Sequence, residues 1–466
     1  MNKKKHIHFI GICGVAMSAL AIAFHKNGWK VTGSDKGFYP PVSTHLKNTD
    51  IYFYPGWHPN KMTQDGDPDL VVVGNVAGSN NPELLYTKEN NIEFTSYPKL
   101  VSNHLICENS IVCAGSYGKT TTSTLLSWIF KENNKDANYL YGGLSENEKF
   151  PASRIKDTAN WSIVEGDEYK TARWDKTPKF EYYNPTHLLL TSLEWDHADL
   201  FPTKEKYLEA FKKLINSVPK DGFKLLSDQA YQKIKDELKD NVKTYGTKPK
   251  HDFYYQDFKQ TKSGISFEIH HQGETFQISN TNLLGEHMAE NITACFAMAL
   301  EAGIDASDII SAISTFKGIK RRLQRRHKGD IDVYDDIAHS PQKARSVLNT
   351  LDNTYNGKII AVFEPNTGNR KRKAIPNYKN AFKKADEVVI PRLSKVKKKE
   401  DDPDPPFGGQ KLKEVISNTH EKVKYIEDDF ELVDHLLTSS GPGDVIVFLG
   451  SHGFRKMIEM TVNGLN

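Results

Sequence analysis

The stretch that decides the fold is "VCAGSYGKTTT" at residues 112–122, a short loop rich in glycine and serine that ends in Lys-Thr. The apolar run "NSIVCA" leads into the loop and "STLLSWIF" follows it, which predicts a strand, a turn through Gly115 and Gly118, and a helix. Such a turn directs free backbone N–H groups and the positive end of the helix dipole at one point. The candidate phosphate-binding residues are therefore Gly115, Ser116, Tyr117, Gly118, Lys119, Thr120 and Thr121.

The match to the usual phosphate-loop pattern, G-x-x-x-x-G-K-[ST], is incomplete. The first glycine of that pattern falls on Cys113 in this chain. An ordinary glycine turn with a surface lysine is the alternative to a phosphate site. The rest of the chain has to decide between the two interpretations.

Length and composition favour a multidomain protein that binds small ligands. The chain has 466 residues, more than one hydrophobic core usually organises, and we expect three domains. A net charge of +3 gives no global field that favours a nucleic-acid or membrane partner. The cysteines show no C-x-x-C spacing, which indicates thiols in a reducing compartment without a disulfide or zinc site. The sequence does not indicate an oligomeric state.

The first residues, "MNKKKHIHFIGICGVAMSALAIAF", resemble a secretory signal because lysines precede an apolar stretch. However, His6 and His8 interrupt the apolar run, and Gly11 to Gly14 divide it into a strand and a helix. We therefore expect this segment to be part of a folded, cytoplasmic protein. No other stretch approaches the ~20 uninterrupted apolar residues that span a bilayer.

Three series of apolar runs bounded by turns predict an α/β protein of three domains. The first series holds "IHFIG", "KVTGSD", "LVVVGN" and "IEFTSY" and predicts an N-terminal Rossmann-like domain at residues 1–106. The second begins with "SIVCAGS" and predicts a central α/β domain of the P-loop ATPase type, with added β elements, at residues 107–317. The third, from "IDVYDDIAH" to "DVIVFLG", predicts a C-terminal Rossmann-like domain at residues 318–466.

The first turn, "GICGVAM", offers a partial dinucleotide fingerprint, with Asp35 about 20 residues further on as a ribose acceptor. Cys13 stands where the second glycine of the fingerprint belongs, so the usual NAD pose is disfavoured. A nucleotide diphosphate held differently remains open. An NAD-dependent oxidoreductase is a rival function that this turn alone suggests.

Acidic residues follow two predicted strands, in "VEGDE" and "LEWDHAD". They lie at the carboxyl ends of the strands, where ligands bind in open parallel sheets. Mg²⁺ prefers oxygen ligands, and one or two carboxylates with the Thr120 hydroxyl would suffice beside ATP oxygens. A lone histidine such as His197 is more often structural, and only the ensemble predicts a magnesium site. The residues concerned are Glu165, Asp167, Glu168, Glu194, Asp196 and His197.

Two charged segments are by default interpreted as solvent-exposed surface. The run "KGIKRRLQRRH" is by default a solvated basic face, although an arginine fork at a domain junction also suits a γ-phosphate. The segment "SKVKKKEDDPDPPFGGQ" is charged and rich in proline and glycine, which is typical of a solvated loop.

Taken together, the motifs resemble those of the Mur ligase family, ATP-dependent amide-forming enzymes of peptidoglycan metabolism, across nearly the whole chain. The motifs are "GICGVAM", "GSD", "AGSYGKTTT", "EGDEY", "LEWDHAD", "GEHMAEN", "FKGIKRRLQ" and "YDDIAHSP". Within the family, the likeness is greatest to the recycling ligases that join UDP-N-acetylmuramate to L-alanyl-γ-D-glutamyl-meso-diaminopimelate. The alanine-adding ligases have a shorter stretch after the acidic motif, where this chain carries "YKTARWDKTPKFEYYNP". UDP-N-acetylmuramate–L-alanine ligase is the alternative function.

The resemblance implies a UDP-sugar domain, a central ATPase domain, and a third domain that closes over ATP and helps hold the amine. It implies that Lys119 binds the β- and γ-phosphates and that Asn291 contacts adenine. It assigns the γ-phosphate to Arg322 and the ribose to Asp336, so Lys119, His197 and Arg322 become the candidate catalytic residues. Thr120, Glu165 and His197 are implied to organise magnesium. The residues implied to face the UDP-sugar are Gly11, Gly14, Met17, Ser18, Asp35, His58 and Asn81.

The chain departs from the family pattern at three places. Ser116-Tyr117 replaces the usual Thr-His of the loop, Ser340 replaces the second histidine of "AHHP", and Asn366 replaces an arginine after Glu-Pro. These departures affect the choice of amine more than the ATP chemistry. The resemblance implies ATP and Mg²⁺ as cofactors and an acyl-phosphate route. It leaves the general base, and any carbamylated lysine, unassigned.

Overall fold

The computed structural model describes residues 4–38, 42–195, 197, 200–238, 242–394 and 404–466. The chain divides into two compact units, the first with residues 1–259, 266–282 and 287–317 and the second with residues 260–265, 283–286 and 318–466. Asp196 and residues 395–403 of the charged segment "SKVKKKEDDPDPPFGGQ" lie outside the described residues. No helix in the described ranges is long and apolar enough to cross a membrane.

The first unit begins with a parallel sheet whose described strands have the order β3-β2-β1-β4-β5. Its strands are β1 (His6–Ile10), β2 (Lys30–Asp35), β3 (Tyr52–Pro55), β4 (Leu70–Val73) and β5 (Phe94–Ser96). Its helices are α1 (Val15–Lys26), α2 (Val42–Lys47), α3 (Pro59–Met62), α4 (Pro82–Glu89) and α5 (Tyr97–His104). The strand order reverses between β1 and β4, and such a switch point opens a ligand crevice at the carboxyl ends of the strands.

A second, larger sheet follows, with the described strands in the order β15-β14-β13-β12-β11-β10-β6-β9-β7-β8. Its strands are β6 (Asn109–Ala114), β7 (Ala137–Leu140), β8 (Ser153–Arg154), β9 (Trp161–Gly166), β10 (His187–Leu190), β11 (Phe223–Ser227), β12 (Lys243–Gly246), β13 (Phe253–Thr261), β14 (Gly264–His271) and β15 (Glu274–Ile278). The helices are α6 (Lys119–Glu132), α7 (Lys204–Ser217), α8 (Asp228–Ile234), α9 (Glu286–Glu301) and α10 (Ala306–Thr315). Short 3-10 turns cover Lys179–Tyr182 and Lys235–Glu237.

The sheet of the second unit has the described strand order β16-β17-β21-β18-β19-β20. Its strands are β16 (Gln324–His327), β17 (Asp332–Asp336), β18 (Ile359–Glu364), β19 (Glu387–Ile390), β20 (Val423–Tyr425) and β21 (Val445–Gly450). Its helices are α11 (Pro341–Asp352), α12 (Gly409–Ser417), α13 (Asp429–Ser439) and α14 (Met457–Leu465). Short 3-10 turns cover Thr367–Arg370, Arg372–Tyr378 and Phe454–Lys456. Only β16 pairs antiparallel among the described pairs of this sheet.

The central strands are apolar because both faces of each parallel sheet are covered by helices. Strands β1, β4, β18 and β21 are buried along their whole length. In the first unit, one hydrophobic cluster runs from Phe9 in the first sheet to Val112 in the second. The structure confirms the predicted α/β fold with three sheets. The boundaries at residues 106 and 317 stay predictions.

Candidate active site

The phosphate loop occupies the turn between β6 and α6, as the sequence predicts. Gly115 has φ +132° and Gly118, the N-cap of α6, has φ +84°, conformations that favour glycine. A Cβ on Gly118 would lie 2.8 Å from Oδ1 of Asn291, and one on Gly115 would lie 2.8 Å from the backbone N of Ser192. Both glycines are therefore required by close approach as well as by backbone conformation. Asn291 lies beside the loop.

Backbone and hydroxyl contacts fix the loop against the segment that follows β10. The Ser192 hydroxyl accepts from the backbone N of Tyr117 at 2.8 Å, and the Ser116 hydroxyl donates to the carbonyl of Glu194 at 2.7 Å. Ser116 thus has a structural role in the loop. The Tyr117 side chain is 56% exposed beside the loop.

Lys119 is held by an ion pair that the sequence does not reveal. Its Nζ lies 2.9 Å from Oε2 of Glu168, which is 2% exposed, and donates to the carbonyl of Gly115 at 2.5 Å. Burial alone lowers the pKa of Lys119, but the carboxylates of Glu168 and then Glu165 raise it above its ordinary value. Lys119 therefore stays cationic, as phosphate binding requires. The sequence predicts Glu168 at a strand end but does not indicate this role.

Thr120 and Glu165 form an oxygen-rich pair directly beside Lys119. The Thr120 hydroxyl donates to Oε1 of Glu165 at 3.0 Å, and the backbone N of Gly142 donates to Oε2 at 2.7 Å. Hydroxyl and carboxylate oxygens are the ligands that Mg²⁺ prefers, and Mg²⁺ takes its remaining ligands from water and substrate phosphates. The donor set fits that ion. In the described ranges, no group of three histidine, cysteine, aspartate or glutamate side chains is arranged for a metal.

His197 also lies next to Glu168. Its Nε2 is 3.5 Å from Oε1 of Glu168, and its ring centroid is 5.0 Å from that of Tyr169. His197 has φ +54°, which is uncommon for histidine and marks a locally strained backbone. Lys119 and His197 therefore both contact Glu168, and Thr120, next to Lys119 in the chain, bonds Glu165.

The long stretch after the acidic motif forms an ordered hairpin, which we call the 169–179 strap. The backbone N of Thr171 donates to the carbonyl of Thr177 at 2.9 Å. The backbone N of Lys179 donates to the carbonyl of Tyr169 at 3.1 Å. The strap contacts Asn75, directly after β4, through an Asn75 Nδ2 bond to the carbonyl of Lys170 at 3.3 Å. The strap therefore connects the switch point of the first sheet with the surroundings of His197.

The predicted sugar-site glycine turn lies at that switch point. Gly11 has φ +92°, and a Cβ there would lie 2.6 Å from Cγ1 of Val76. Gly14 is the N-cap of α1. Met17 and Ser18 are buried in the first turns of the same helix, where the Ser18 hydroxyl donates to the carbonyl of Val15 at 2.9 Å. The helix N-terminus and its glycines suit an anion.

Three other predicted sugar-site residues carry structural contacts. Asp35 reaches back to the turn, where its Oδ2 accepts from the backbone N of Cys13 at 2.8 Å. Asn81 caps α4, and its Oδ1 accepts from the backbone N of Glu83 at 3.0 Å. The backbone N of His58 donates to Oε1 of Glu83 at 2.8 Å. Each of these contacts is made within the protein. Direct contacts of Asp35, His58 and Asn81 with the sugar stay predictions.

Glu83 is a further buried carboxylate that sequence reasoning missed. It is fully buried and accepts from the hydroxyls of Ser34 and Tyr54 as well as from His58, while Nε2 of His8 lies 3.5 Å from it. It therefore ties β1, β2 and β3 to α4 beneath the switch point. Its position in "NPELL" reads as an ordinary first-turn helix residue, so no sequence signal marks it.

In the second unit, Arg322 lies between two residues with left-handed backbone, Arg321 at φ +62° and Leu323 at φ +47°. Asp336 ends β17, and its oxygens accept from the backbone N of Leu323 at 2.6 Å and of Ala338 at 2.8 Å. Burial raises the pKa of Asp336 to about 6. Strain of this kind clusters at ligand sites. Roles of Arg322 and Asp336 toward ATP remain predictions.

Known protein families match the parts of the chain that contain these sites. Residues 6–106 match the catalytic domain description of the Mur ligase family, residues 113–299 the Mur ligase middle domain, and residues 321–452 the glutamate ligase domain. The UDP-N-acetylmuramate–L-alanyl-gamma-D-glutamyl-meso-2,6-diaminoheptandioate ligase of Haemophilus influenzae is 34% identical over 376 residues, which cover 79% of this chain and 81% of that one. The chain belongs to the Mur ligase family. Mur ligases form amide bonds at the expense of ATP, and this protein is a ligase of that type.

Two further similarities bear on the branch of the Mur ligase family. A murein peptide ligase of Psychrobacter arcticus has a similar structure, with a TM-score of 0.70 and 25% identity over 99% of this chain and 98% of that one. The UDP-N-acetylmuramate–L-alanine ligase of Brachyspira hyodysenteriae is 29% identical over 97% of this chain and 96% of that one. Both branches are thus similar along nearly the full length.

Proposed function

We propose that the protein joins UDP-N-acetylmuramate to L-alanyl-γ-D-glutamyl-meso-diaminopimelate in peptidoglycan recycling. The ordered 169–179 strap carries this choice, because the resemblance assigns this longer stretch to the recycling branch, and the strap contacts both Asn75 at the switch point and His197. The names of the Haemophilus and Psychrobacter relatives support it. We further propose that residues 1–106, 107–317 and 318–466 are the UDP-sugar, ATP and ligase domains. The cytoplasmic location stays a prediction.

The proposed reaction begins with transfer of the γ-phosphoryl group of ATP to the lactyl carboxylate of the sugar. A carboxylate is a poor electrophile, and its acyl phosphate is a good one, which the peptide amine attacks with release of phosphate. Two anions approach each other in the first step, so fixed positive charge is needed where charge gathers in the transition state. Lys119 supplies such a charge beside the N-terminus of α6, and Arg322 supplies another in the second unit.

The remaining residues position these groups. The glycine loop presents backbone N–H groups to phosphate oxygens, and Glu168 holds Lys119 and His197 in place. Thr120, Glu165 and His197 would hold Mg²⁺, which neutralises phosphate charge when bound. Asn291, which lies beside Gly118, would contact the nucleotide base. No protein nucleophile is required, since the acyl phosphate forms on the substrate.

Removal of a proposed magnesium ligand tests this arrangement. Glu165→Ala and His197→Ala each raise the Mg²⁺ concentration for half-maximal ligation, by about 10-fold or more, because a ligand or its support is lost. Activity is titrated against Mg²⁺ at saturating ATP. Glu132→Ala is the matched control, since Glu132 ends α6, far from the loop at its start, and its side chain pairs with Lys131 at 2.8 Å. If the Mg²⁺ dependence is unchanged in both variants, Glu165 and His197 are structural residues and not magnesium ligands.

The choice of amine tests the proposed function itself. kcat/KM is measured for L-alanine, L-alanyl-γ-D-glutamate and the tripeptide with one UDP-sugar stock, and we expect the tripeptide to be highest. A peptide offers charges remote from its reacting amine, and contacts to them orient the substrate, whereas alanine offers only its own carboxylate. Highest efficiency with alanine establishes the alternative, UDP-N-acetylmuramate–L-alanine ligase. ATP hydrolysis that fails to depend on either acceptor substrate contradicts both.

A further inference from the structure

Glu364 presents a buried carboxylate oxygen at the carboxyl end of β18. The residue is 1% exposed and is the last residue of that strand. Its Oε1 accepts from the backbone N of Ser394 at 2.8 Å and from the Ser394 hydroxyl at 2.6 Å. These two bonds explain Oε1 as a structural group that closes the chain after β19. Within the described residues, Oε2 is buried and has no hydrogen-bond partner.

Two arginines among the described residues interact with Glu364, and neither donates to Oε2: Arg370 donates to the carbonyls of Phe407 and Ser394. Nη1 of Arg455 lies 3.8 Å from Oε2, beyond hydrogen-bond distance. The Arg455 guanidinium is instead committed to Asp429, with Nε to Oδ2 and Nη2 to Oδ1 both at 2.9 Å. A buried carboxylate oxygen without a donor is costly, and natural proteins retain such atoms mainly where a ligand or ion supplies the partner.

The backbone around Oε2 supports a ligand site independently. Phe454, Arg455 and Lys456 follow β21 with φ +50°, +48° and +71°, three consecutive non-glycine residues in the left-handed region. Non-glycine residues in this conformation are strained and cluster at functional sites. Beside them, a Cβ on Gly450 would lie 2.9 Å from the carbonyl oxygen of Glu364. The end of β21 thus needs glycine at this position.

We propose that Oε2 of Glu364 accepts a cationic amino group of the amine substrate, distinct from the nitrogen that reacts. This inference rests on the proposed function. A carboxylate beside an amine favours the ammonium form, which has no lone pair for attack on an acyl phosphate. The partner of Glu364 is therefore a second amino group. A diaminopimelate residue carries one and free alanine does not, so Glu364 selects peptide over alanine.

The test combines enzyme variants with matched peptides. kcat/KM is measured for L-alanyl-γ-D-glutamyl peptides that end in meso-diaminopimelate, L-lysine or L-norleucine, the last of which lacks the terminal amino group. We expect the native enzyme to prefer lysine over norleucine by about 10- to 100-fold, the effect of one charge-assisted hydrogen bond. In Glu364→Gln this ratio falls to near one, while KM for ATP and for the UDP-sugar is unchanged.

Two further variants make the result specific. Glu387→Gln removes a carboxylate of the same sheet, paired with His435 at 2.9 Å, and keeps the native ratio. Glu364→Asp keeps the negative charge but places it farther from the substrate, so we expect an intermediate lysine-to-norleucine ratio. This variant keeps the inference testable if the glutamine variant misfolds. A native ratio in Glu364→Gln, an equal loss on all peptides, or no lysine preference in the native enzyme overturns the inference alone. Acceptance of alanine and of no peptide overturns the proposed function as well.

Discussion

Lys119→Ala abolishes ligation, by about 10³-fold or more in kcat, and leaves affinity for UDP-N-acetylmuramate nearly unchanged. The lysine is the cation that the loop offers to phosphate, and loss of a charge aimed at a phosphoryl transition state has effects of this size. The sugar site is proposed at the switch point of the first sheet, on other residues. Single-turnover ligation gives the rate, and titration with the UDP-sugar gives the affinity.

This variant also leaves Glu168 as an unpaired buried charge, which by itself destabilises a protein. The double variant Lys119→Ala/Glu168→Gln removes that charge, so its thermal unfolding returns toward that of the native protein while ligation stays lost. Recovery of activity in the double variant would show that Lys119 acts through folding and not through phosphate. A collapse of sugar affinity in a folded variant contradicts the placement of the two sites.

Much of the fold was predictable because the buried strands are apolar runs bounded by turns. "IHFIG", "LVVVGN" and "DVIVFLG" all form strands where expected. Two strands that pattern analysis missed, β3 and β16, lie at sheet edges and are poorly buried. β3 exposes Tyr52 and Pro55, and β16 consists of half-buried polar residues. Such edge strands exist because a neighbouring strand supplies hydrogen bonds, and that neighbour is not visible in local sequence.

The basic run shows how tertiary contacts override a default interpretation. The interpretation of this run as a solvated face is wrong for Arg321 and Arg326. Their guanidinium groups lie 3.4 and 3.3 Å from the buried carboxylate of Asp335. Arg321 also donates to the carbonyl of Gly450 at 2.5 Å. These bonds join segments far apart in the chain, so the charge pattern alone does not reveal them.

The candidate site was predictable where chemistry is local and not where it depends on long-range pairing. The sequence reveals the loop glycines, Lys119 and Thr120 because their spacing falls within one turn. Glu168 is near the loop only because β6 and β9 are adjacent in the sheet. Glu83 and Glu364 likewise contact residues that are distant in the sequence. A buried carboxylate looks in sequence like any of the exposed ones.

Glu83→Ala destabilises the first sheet by about 3–5 kcal/mol, because it leaves several buried donors without an acceptor at once. Ser34, Tyr54 and the backbone N of His58 all lose their partner. Native-state hydrogen exchange of amides in β1, β2 and β4 measures the local free energy of opening. Glu89→Ala, on the exposed end of the same helix, is the control and changes it by less than about 0.5 kcal/mol.

The pH dependence of the native protein gives this prediction a sign. Burial raises the pKa of Glu83, but His8 and the donated hydrogen bonds outweigh it, so the folded-state pKa lies below the ordinary value. A lowered folded-state pKa means stability that is present above the unfolded pKa of about 4.3 and is lost as pH falls toward the folded one. The difference between native protein and Glu83→Gln therefore shrinks below about pH 4. A difference that stays constant down to that pH contradicts an ionised Glu83 as the centre of the network.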